Sequence, residues 1–262
     1  MDGQNERPLL RHDDGGVTRL TLNRPQAFNS LSRELLTLLE QELALIAADP
    51  AVRVVVIAGA GKAFCAGHDL KEIGAELRDE PIRTLFEQCS RIMAGFTRLP
   101  QPVIARVHGI ATAAGCQLVA ACDLAVCSDD SRFATSGVKY GLFCSTPMVA
   151  LSRNVPRKAA MEMLLTGDFI DAVEALRLGL VNQVVPSDGL DTAVTALCAR
   201  LVDKPPAVLA LGKRAFYRQL EVGLDAAYAM TTEVIVANAL GRDFAEGVEA
   251  FTAKRRPVWP DA

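Results

Sequence analysis

The chain has 262 residues, and 28 Lys and Arg side chains nearly balance 31 Asp and Glu, which gives a formal net charge of -3 at pH 7. This charge argues against a protein that coats nucleic-acid phosphates and against a polybasic membrane-surface protein. Half of the residues are apolar and 23% are charged, a balance typical of globular rather than disordered chains. The composition is compatible with an enzyme or binding protein that acts on small molecules.

The seven cysteines are scattered, and most lie in apolar runs, so we expect reduced, buried side chains and no disulfide framework. Residues 1–16 read MDGQNERPLLRHDDGG, which is too polar for a secretion signal and too acidic for an Arg-rich transit peptide. We therefore predict a polar N-terminal leader over 1–16 and a cytoplasmic location. Polar residues interrupt every apolar stretch before the ~18 residues that a membrane span needs, so we expect no membrane insertion.

Strand and helix patterns alternate through the first part of the chain. Residues 17–23 predict a strand, and the apolar spacing that follows predicts a helix that begins at Ser30 or Ser32 and ends at Asp49-Pro50. The β-branched run 52–58 is typical of a strand buried on both faces. A helix from Pro81, strands at 103–107 and 124–127, and a small-residue helix at 111–121 complete the pattern, which indicates a layered α/β core.

Helical patterns dominate after Arg157, and only 181–185 resembles a strand. The paired prolines Pro205-Pro206 end one helix. We place a boundary there, between a core at 17–204 and a C-terminal helical region at 205–262. The predicted helices in this part of the chain are 158–165, 171–178, 190–202, 207–220, 224–240 and 243–253.

Several known motifs of phosphate, dinucleotide and metal sites are incomplete or absent in this sequence. The segment around Gly59 and Lys62 resembles a phosphate loop, but Val56 and Ala63 occupy positions where that motif needs a glycine and a hydroxyl. No predicted strand leads into a Gly-x-Gly-x-x-Gly fingerprint. Cys65 and His68 have a metal-like spacing, but two ligands fall short of a zinc site. We therefore predict no metal and no redox cofactor.

Two glycine-containing loops stand out, because each leads from a buried strand into a helix. They read GKAFCAGHDL at 61–70 and HGIATAAGCQLVAACD at 108–123. They resemble the K-A-F-x-A-G-x-D-[LI] and G-x-x-x-G-G-G-x-E-L motifs of the enoyl-CoA hydratase/isomerase family, the crotonase superfamily. The similarity extends from N-R-P at 23–25 to K-R-x-P at 254–257. The segments TAAGCQLVA, GLFCSTP and PRKAAMEMLLTG resemble the sequences of one subgroup of the family.

This resemblance implies an α/β fold built as a spiral of repeated strand-strand-helix units. The C-terminal helices would assemble a homotrimer or a dimer of trimers, although an apolar helix face serves packing within one chain equally well. The substrate would be an acyl-CoA, with coenzyme A bound only as part of the thioester.

The two loops suit chemistry on a thioester. Reactions at its α or β carbon place negative charge on the thioester oxygen, and two preorganised backbone N–H groups can hold that charge. Glycine and alanine let the backbone approach closely, and a helix N-terminus adds partial positive charge. Mapped from the family motifs, the donors are the backbone N–H groups of His68 and Ala114.

The resemblance implies a set of residues around the coenzyme, and each also has a plainer reading. Asp69 can simply cap the helix that follows it, the His68 imidazole can simply line the pocket, and Lys62, Lys71 and Lys254 can be solvated cations. The implied coenzyme-binding residues are Phe28, Ala66, His68, Asp69, Leu70, Lys71, Ala114 and Lys254.

The chain departs from the family where the chemistry needs an acid and a base. Gln117 and Gly137 stand where hydratases of the family carry two glutamates, and neither an amide nor a glycine can shuttle a proton. Each missing group forfeits ~10²–10⁴-fold in rate. We therefore expect weak or absent ordinary hydratase activity, and substrate binding need not suffer.

Other members of the family place an aspartate where this chain has Ser145, which is also not acidic. Lys139, Tyr140, Cys144 and the His68 side chain are alternative groups for chemistry, although core or loop roles suit each of them better. Two hypotheses follow from these residues. The chain is either an acyl-CoA enzyme with an altered reaction or a non-catalytic acyl-CoA binder or regulatory partner.

Overall fold

In a computed structural model, which describes residues 7–260, the chain folds into nine strands and eleven helices. The strands are β1 Leu9–Asp14, β2 Val17–Leu22, β3 Val54–Gly59, β4 Val103–Val107, β5 Ile110–Thr112, β6 Leu124–Ser128, β7 Arg132–Ala134, β8 Ile170–Asp171 and β9 Gln183–Val185. The helices are α1 Arg33–Ala48, α2 Leu70–Ala75, α3 Asp79–Arg98, α4 Ala114–Ala121, α5 Pro147–Asn154, α6 Arg157–Thr166, α7 Ala172–Arg177, α8 Leu190–Val202, α9 Pro206–Gln219, α10 Leu224–Ala239 and α11 Arg242–Thr252. Short 3₁₀ helices lie at Pro25–Ala27, Ser136–Tyr140 and Ser187–Gly189.

Two sheets organise these elements. The larger sheet has the order β1-β2-β3-β4-β6-β9, and every pair after β1–β2 is parallel. The smaller sheet has the order β5-β7-β8. The chain enters the large sheet at β4 and the small sheet at β5 before α4, and it repeats this path with β6, β7 and the 3₁₀ helix that follows. These repeats are the predicted strand-strand-helix units, so the α/β crotonase-like fold is confirmed.

The central strand β3 is buried on both faces, as its β-branched run predicts. On one side lies the main core, which includes Phe64, Phe96 and Phe133. On the other side Val54 and Val56 pack in a smaller cluster with Leu190 and Val194 of α8. Parallel strands β3 and β4 therefore end at one edge of a rigid sheet, and the loops that follow them begin there.

The predicted polar leader spans 1–16, and its first six residues lie outside the described part of the chain. Residues 9–14 form strand β1 and pair with β2 in antiparallel register from Leu9–Leu22 to Asp14–Val17. Only Leu9 of this strand is buried. An edge strand has one free side, and its polar residues face solvent there. The polar sequence of this segment therefore gives no apolar pattern from which a strand could be predicted.

Helix α1 begins where the sequence predicts. The Ser32 hydroxyl accepts a hydrogen bond from the Leu35 N–H at 3.2 Å, which satisfies one of the free donors of the first turn. Helix α4 is shorter than predicted, because residues 110–112 form strand β5 instead of its first turn. This difference moves the start of α4 to Ala114.

A buried ion pair fixes the C-terminal helices to the core. Lys213 of α9 bonds Asp123 Oδ2 at 2.5 Å and the carbonyl oxygens of Phe96 and Gln101 at 2.8 Å. Tyr217 donates to the other Asp123 oxygen at 2.8 Å.

Across residues 7–260, no helix combines the length and the apolar character that a membrane crossing needs.

Candidate active site

The two glycine-containing loops lie side by side. Cys65 and Ala111 form a parallel bridge, in which the Cys65 N–H donates to Ile110 O at 3.1 Å and the Thr112 N–H donates to Cys65 O at 3.0 Å. This bridge joins the loop after β3 to strand β5. Main-chain bonds therefore hold the 61–70 segment against the start of α4.

Gly67 of the first loop lies close to the start of α4. A Cβ built on Gly67 would lie 2.9 Å from the Ala113 Cβ and 3.3 Å from the Ala114 nitrogen, and Gly67 itself has φ +91. A larger residue at position 67 would therefore separate the loops. The His68 nitrogen is attached to this glycine, so the two predicted N–H donors lie in neighbouring stretches of main chain.

Both of these N–H groups lack a protein acceptor. Among the hydrogen bonds of residues 7–260, none has the His68 or the Ala114 nitrogen as its donor, although the adjacent Asp69 and Ala113 nitrogens donate to Leu31 O and Ala134 O. Ala114 is the first residue of α4, where the N–H has no partner within the helix. The helix dipole adds partial positive charge at the same point.

Ala113 holds an unusual backbone conformation, with φ 50 and ψ -118. This region suits glycine, and a side chain there costs of order 1–3 kcal/mol. Bonds on both sides hold the residue in place, since its N–H donates to Ala134 O at 2.9 Å and its carbonyl accepts from the Gln117 N–H at 3.1 Å. This strained conformation forms the turn that leaves the Ala114 N–H without a protein acceptor.

The segment from Arg24 to Leu31 supports the first loop from behind. Asn29 is fully buried, and its Nδ2 donates to Ala60 O and Ala63 O, both at 2.7 Å. Arg24 donates to Asp69 Oδ2 at 2.9 Å. The N-R-P motif thus positions the loop, a role for Arg24 that sequence reasoning missed.

Asp69 caps helix α2, as the plainer reading of its position predicts. Its Oδ1 accepts from the Lys71 N–H at 3.1 Å. Burial alone would raise the pKa of Asp69, but hydrogen bonds from Arg24 and from the α2 backbone lower that pKa below its usual value. The carboxylate is therefore an ionised structural group.

The His68 side chain is half-buried beside Phe86, and both of its ring nitrogens are buried. The two rings meet edge to face with centroids 5.1 Å apart, and within residues 7–260 neither ring nitrogen has a hydrogen-bond partner at normal geometry, although the Leu31 main chain interacts with the ring. Burial lowers the pKa of His68 from 6.5 to about 4, against a weaker opposing effect of the Leu31 backbone. The imidazole is therefore neutral at physiological pH. Phe86 lies on the amphipathic helix α3, and nothing in the sequence distinguished it from core residues.

The two positions of the expected glutamates differ in structure. Gln117 is 4% exposed, and its Oε1 has no partner in the described chain. A Cβ on Gly137 would collide with the Leu142 carbonyl oxygen and lie 2.8 Å from Cys144 Sγ. Position 117 therefore holds a buried amide whose oxygen is unpaired, and main chain closes position 137 against any side chain.

The alternative groups for chemistry have ordinary surface or core surroundings. Ser145 is exposed and its hydroxyl donates to Phe143 O at 3.3 Å. Lys139 pairs with Asp168 at 2.7 Å, and Tyr140 is 71% exposed. Burial raises the pKa of the Cys144 thiol. All seven cysteines are free and buried, as predicted.

Phe28, Leu70 and Lys71 are the exposed coenzyme-binding candidates in or beside the first loop. The Ala66 N–H donates to Phe28 O at 3.0 Å, which places Phe28 beside the first loop. Leu70 and Lys71 are exposed at the start of α2. Lys254 is different: it lies exposed at the C-terminal end of α11, with no hydrogen bond or ion pair to the first loop within residues 7–260.

An open cleft of about 600 Å³ lies along helix α3. Its wall comes from helix α3, including Ile82, Arg83 and Phe86, together with Thr146. Phe86 contacts the His68 ring, and Thr146 directly follows Ser145. The cleft thus lies between α3 and the loop that carries the third family position.

Comparison with known proteins places this geometry in a family. The sequence profile of the enoyl-CoA hydratase/isomerase family matches residues 12–262. A curated relative from Xenopus laevis, enoyl-CoA hydratase domain-containing protein 3, mitochondrial, is 48% identical over 244 residues, which cover 93% of this chain and 83% of the relative.

Solved structures agree with this assignment. An enoyl-CoA hydratase from Mycobacterium smegmatis is 55% identical with a TM-score of 0.95, covering 97% of this chain and 99% of that one. The human enoyl-CoA hydratase domain-containing protein 3 is 44% identical with a TM-score of 0.91, covering 97% and 100%.

The comparison corrects one prediction and settles the family. Relatives from Xenopus laevis, Rattus norvegicus and Homo sapiens are named as mitochondrial proteins, so the predicted cytoplasmic location is wrong, and the finding points to mitochondria. The composition of residues 1–16 is a poor guide to the compartment. The chain belongs to the enoyl-CoA hydratase/isomerase family of the crotonase superfamily, in the subgroup of enoyl-CoA hydratase domain-containing protein 3.

Proposed function

We propose that the protein binds a coenzyme A thioester and holds the negative charge of its enolate with the backbone N–H groups of His68 and Ala114. One observation carries the proposal. Two N–H groups without protein acceptors lie in adjoining main chain, one of them at a helix N-terminus. Such preorganised donors stabilise an oxyanion far better than water does.

The coenzyme would lie along Phe28, Ala66 and the start of α2, where Leu70 and Lys71 are exposed. The acyl chain would pass His68 toward the cleft lined by α3. The reaction would be a lyase or isomerase step on an acyl-CoA, of the kind found in fatty-acid metabolism. No metal or redox cofactor enters this proposal.

Ordinary hydration of an enoyl-CoA would be weak or absent. That reaction needs an acid and a base, and Gln117 and Gly137 supply neither. A lost glutamate at position 137 cannot be restored by a simple substitution, because main chain fills the space that a Cβ would need. Gln117→Glu is therefore the informative variant.

A non-catalytic acyl-CoA binder is the second candidate. The closed main chain at Gly137 favours it, because this feature removes one of the two catalytic positions and leaves the two N–H donors in place. Both candidates predict thioester binding, and exchange of the α-proton separates them. A site that stabilises the enolate accelerates that exchange, with a buffer base in the solvent taking the α-proton because Gln117 and Gly137 cannot, and a simple binder does not.

The experiment replaces the N–H of Ala114 by an ester oxygen, using lactic acid introduced at that position, and follows deuterium uptake at the α carbon of butyryl-CoA. We expect exchange to fall ~10²–10³-fold, the usual cost of losing one oxyanion donor. The same replacement at Ala172 is the matched control, because Ala172 is also a buried alanine at the first position of a helix. Equal exchange in the two variants would contradict the proposal.

We also propose that the C-terminal helices assemble a homotrimer or a dimer of trimers. Large apolar side chains on α10, on α11 and between them are exposed in the single chain, including Tyr228, Ile235, Leu240 and Phe251. Patches of this kind mark interfaces. A neighbouring chain could then bring Lys254 toward a coenzyme site that its own chain does not place beside it.

A further inference from the structure

Side chains from two other segments hold the start of the first loop. The buried Asn29 donates to the carbonyl oxygens of Ala60 and Ala63, and the His108 imidazole bonds the carbonyl oxygen of Gly61 at 2.8 Å. Asn29 belongs to the segment before α1, and His108 belongs to the segment between β4 and β5. Hydrogen bonds from distant parts of the sequence therefore define how the loop leaves β3.

His108 is the first residue of the second loop, 108–123, so its bond to Gly61 joins the two segments that carry the proposed N–H donors. The next residue, Gly109, packs directly on the first loop, because a Cβ there would collide with the Lys62 carbonyl oxygen. The contact lies before both donors in sequence. A shift of either loop at this point would therefore move one donor relative to the other.

Arg106 determines which nitrogen of His108 carries the hydrogen. Its Nη1 lies 3.2 Å from His108 Nδ1, and a guanidinium can only donate, so Nδ1 accepts. The hydrogen of a neutral imidazole is then on Nε2, where it donates to the Gly61 carbonyl oxygen. A neutral imidazole thus satisfies both contacts, whereas a protonated one would turn a second N–H toward Arg106.

Arg106 is itself fixed by helix α8, on the face of the large sheet opposite the main core. Its side chain is 15% exposed and makes two bonds to Asp191, at 2.8 and 2.9 Å. Asp191 lies in the first turn of α8, and hydrogen bonds from Arg106 lower the pKa of Asp191 to about 2. A continuous path of hydrogen bonds therefore runs from α8 through Arg106 and His108 to Gly61.

We propose that His108 is a positioning residue, which holds the first loop where its N–H donor and that of α4 meet the same thioester oxygen. Both ring nitrogens are used within the chain, so His108 acts through the Gly61 main chain and not on the substrate. The inference rests on the proposed function, because the position of the donors matters only where they hold an enolate oxygen. A displaced donor loses the preorganisation on which its rate effect depends.

The test compares two variants by α-proton exchange of butyryl-CoA at saturation and by calorimetric Kd. His108→Leu removes both hydrogen bonds, and we expect exchange about tenfold slower with an unchanged Kd, because the coenzyme contacts lie elsewhere. The side-chain amide in His108→Gln can donate to Gly61 and accept from Arg106, so this variant should restore most of the rate. His12→Leu is the matched control, since His12 is exposed on the edge strand β1, and it should retain the full rate.

Backbone amide hydrogen exchange tests the same contact without a substrate. The Cys65 and Ala66 N–H groups donate to Ile110 O and Phe28 O, so their protection reports how firmly the first loop is held. We expect His108→Leu to speed exchange of both amides about tenfold and to leave the amides of β3 unchanged. His108→Gln should restore the protection.

The outcomes separate this inference from the proposed function. An unaltered protein that neither binds butyryl-CoA nor exchanges its α-proton would contradict the proposed function, and the positioning role with it. An active unaltered protein whose His108→Leu variant keeps the full rate, or keeps full protection at Cys65 and Ala66, would overturn the positioning role alone. So would a His108→Leu variant whose binding weakens as much as its rate, or a His108→Gln variant as slow as His108→Leu.

Discussion

At the scale of single residues, the His68 imidazole has a measurable effect on stability. Its pKa falls from 6.5 to about 4 on folding, so between these values the unfolded chain binds the proton more readily than the folded one. The stability is therefore complete above the unfolded pKa and is lost as the pH falls toward the folded pKa.

We expect the unaltered protein to lose about 2 kcal/mol of unfolding free energy through this group between about pH 7.5 and about pH 5. Urea titrations at the two pH values measure the loss. His68→Phe keeps an aromatic ring beside Phe86 and removes the titration, so its stability should decline by about 2 kcal/mol less over the same interval. Parallel declines in the two proteins would rule out the buried neutral imidazole.

Gly137 makes a second residue-scale prediction. Because an added Cβ would meet the Leu142 carbonyl oxygen and the Cys144 sulfur, Gly137→Ala should lower the unfolding free energy by about 1–3 kcal/mol. Gly74→Ala is the control, since nothing lies within 4 Å of a Cβ there and the residue is in helix α2. That variant should match or exceed the stability of the unaltered protein. Denaturant unfolding measures the stability of both variants, and equal stabilities would show that a Cβ fits at position 137.

At the scale of elements, the ion pair between Lys213 and Asp123 fastens helix α9 to the core. The side chains are only 8% and 16% exposed, so removing one charge leaves the other buried without its partner. We expect Lys213→Met to cost about 3 kcal/mol of unfolding free energy. The matched change at an exposed pair, Lys204→Met beside Asp203, should cost less than about 1 kcal/mol. A small loss at Lys213 would mean that apolar contacts alone hold the helix.

The elements also show how far the sequence predicts the structure. Strand β4 and helix α8 have the predicted bounds, 103–107 and 190–202, because strong apolar periodicity and clear breakers mark both. Strand β1 escaped prediction, since an edge strand with polar side chains has no apolar pattern. Strand β5 escaped as well, because its three residues run directly into a helix of small residues.

The candidate site was predictable from the sequence only in part, because some of its features depend on contacts between distant segments. The loop motifs locate the two main-chain segments, and the structure places Gly67 against Ala114. Whether a side chain fits at Gly137, or whether the His68 nitrogens find partners, depends on packing between segments far apart in the chain. No local pattern of residues carries that information.

At the scale of the whole molecule, the exposed apolar side chains of the C-terminal helices predict assembly. Leu240 and Phe251 are 84% and 86% exposed in the single chain, and water contact with such large side chains is unfavourable by about 25 cal/mol per Å². Light scattering coupled to size exclusion should therefore give a mass of three or six chains. The double variant with Leu240→Glu and Phe251→Glu should give the mass of one chain, because a buried unpaired carboxylate opposes association.

The control for this prediction is Leu77→Glu, which alters a side chain that is 72% exposed but lies between α2 and α3. It should leave the mass unchanged. An unaltered protein that elutes as one chain would contradict the assembly outright, and a double variant that keeps the full mass would place the interface elsewhere on the molecule. Loss of coenzyme A thioester binding in the single-chain double variant would support the proposal that a neighbouring subunit completes the site with Lys254, which follows α11.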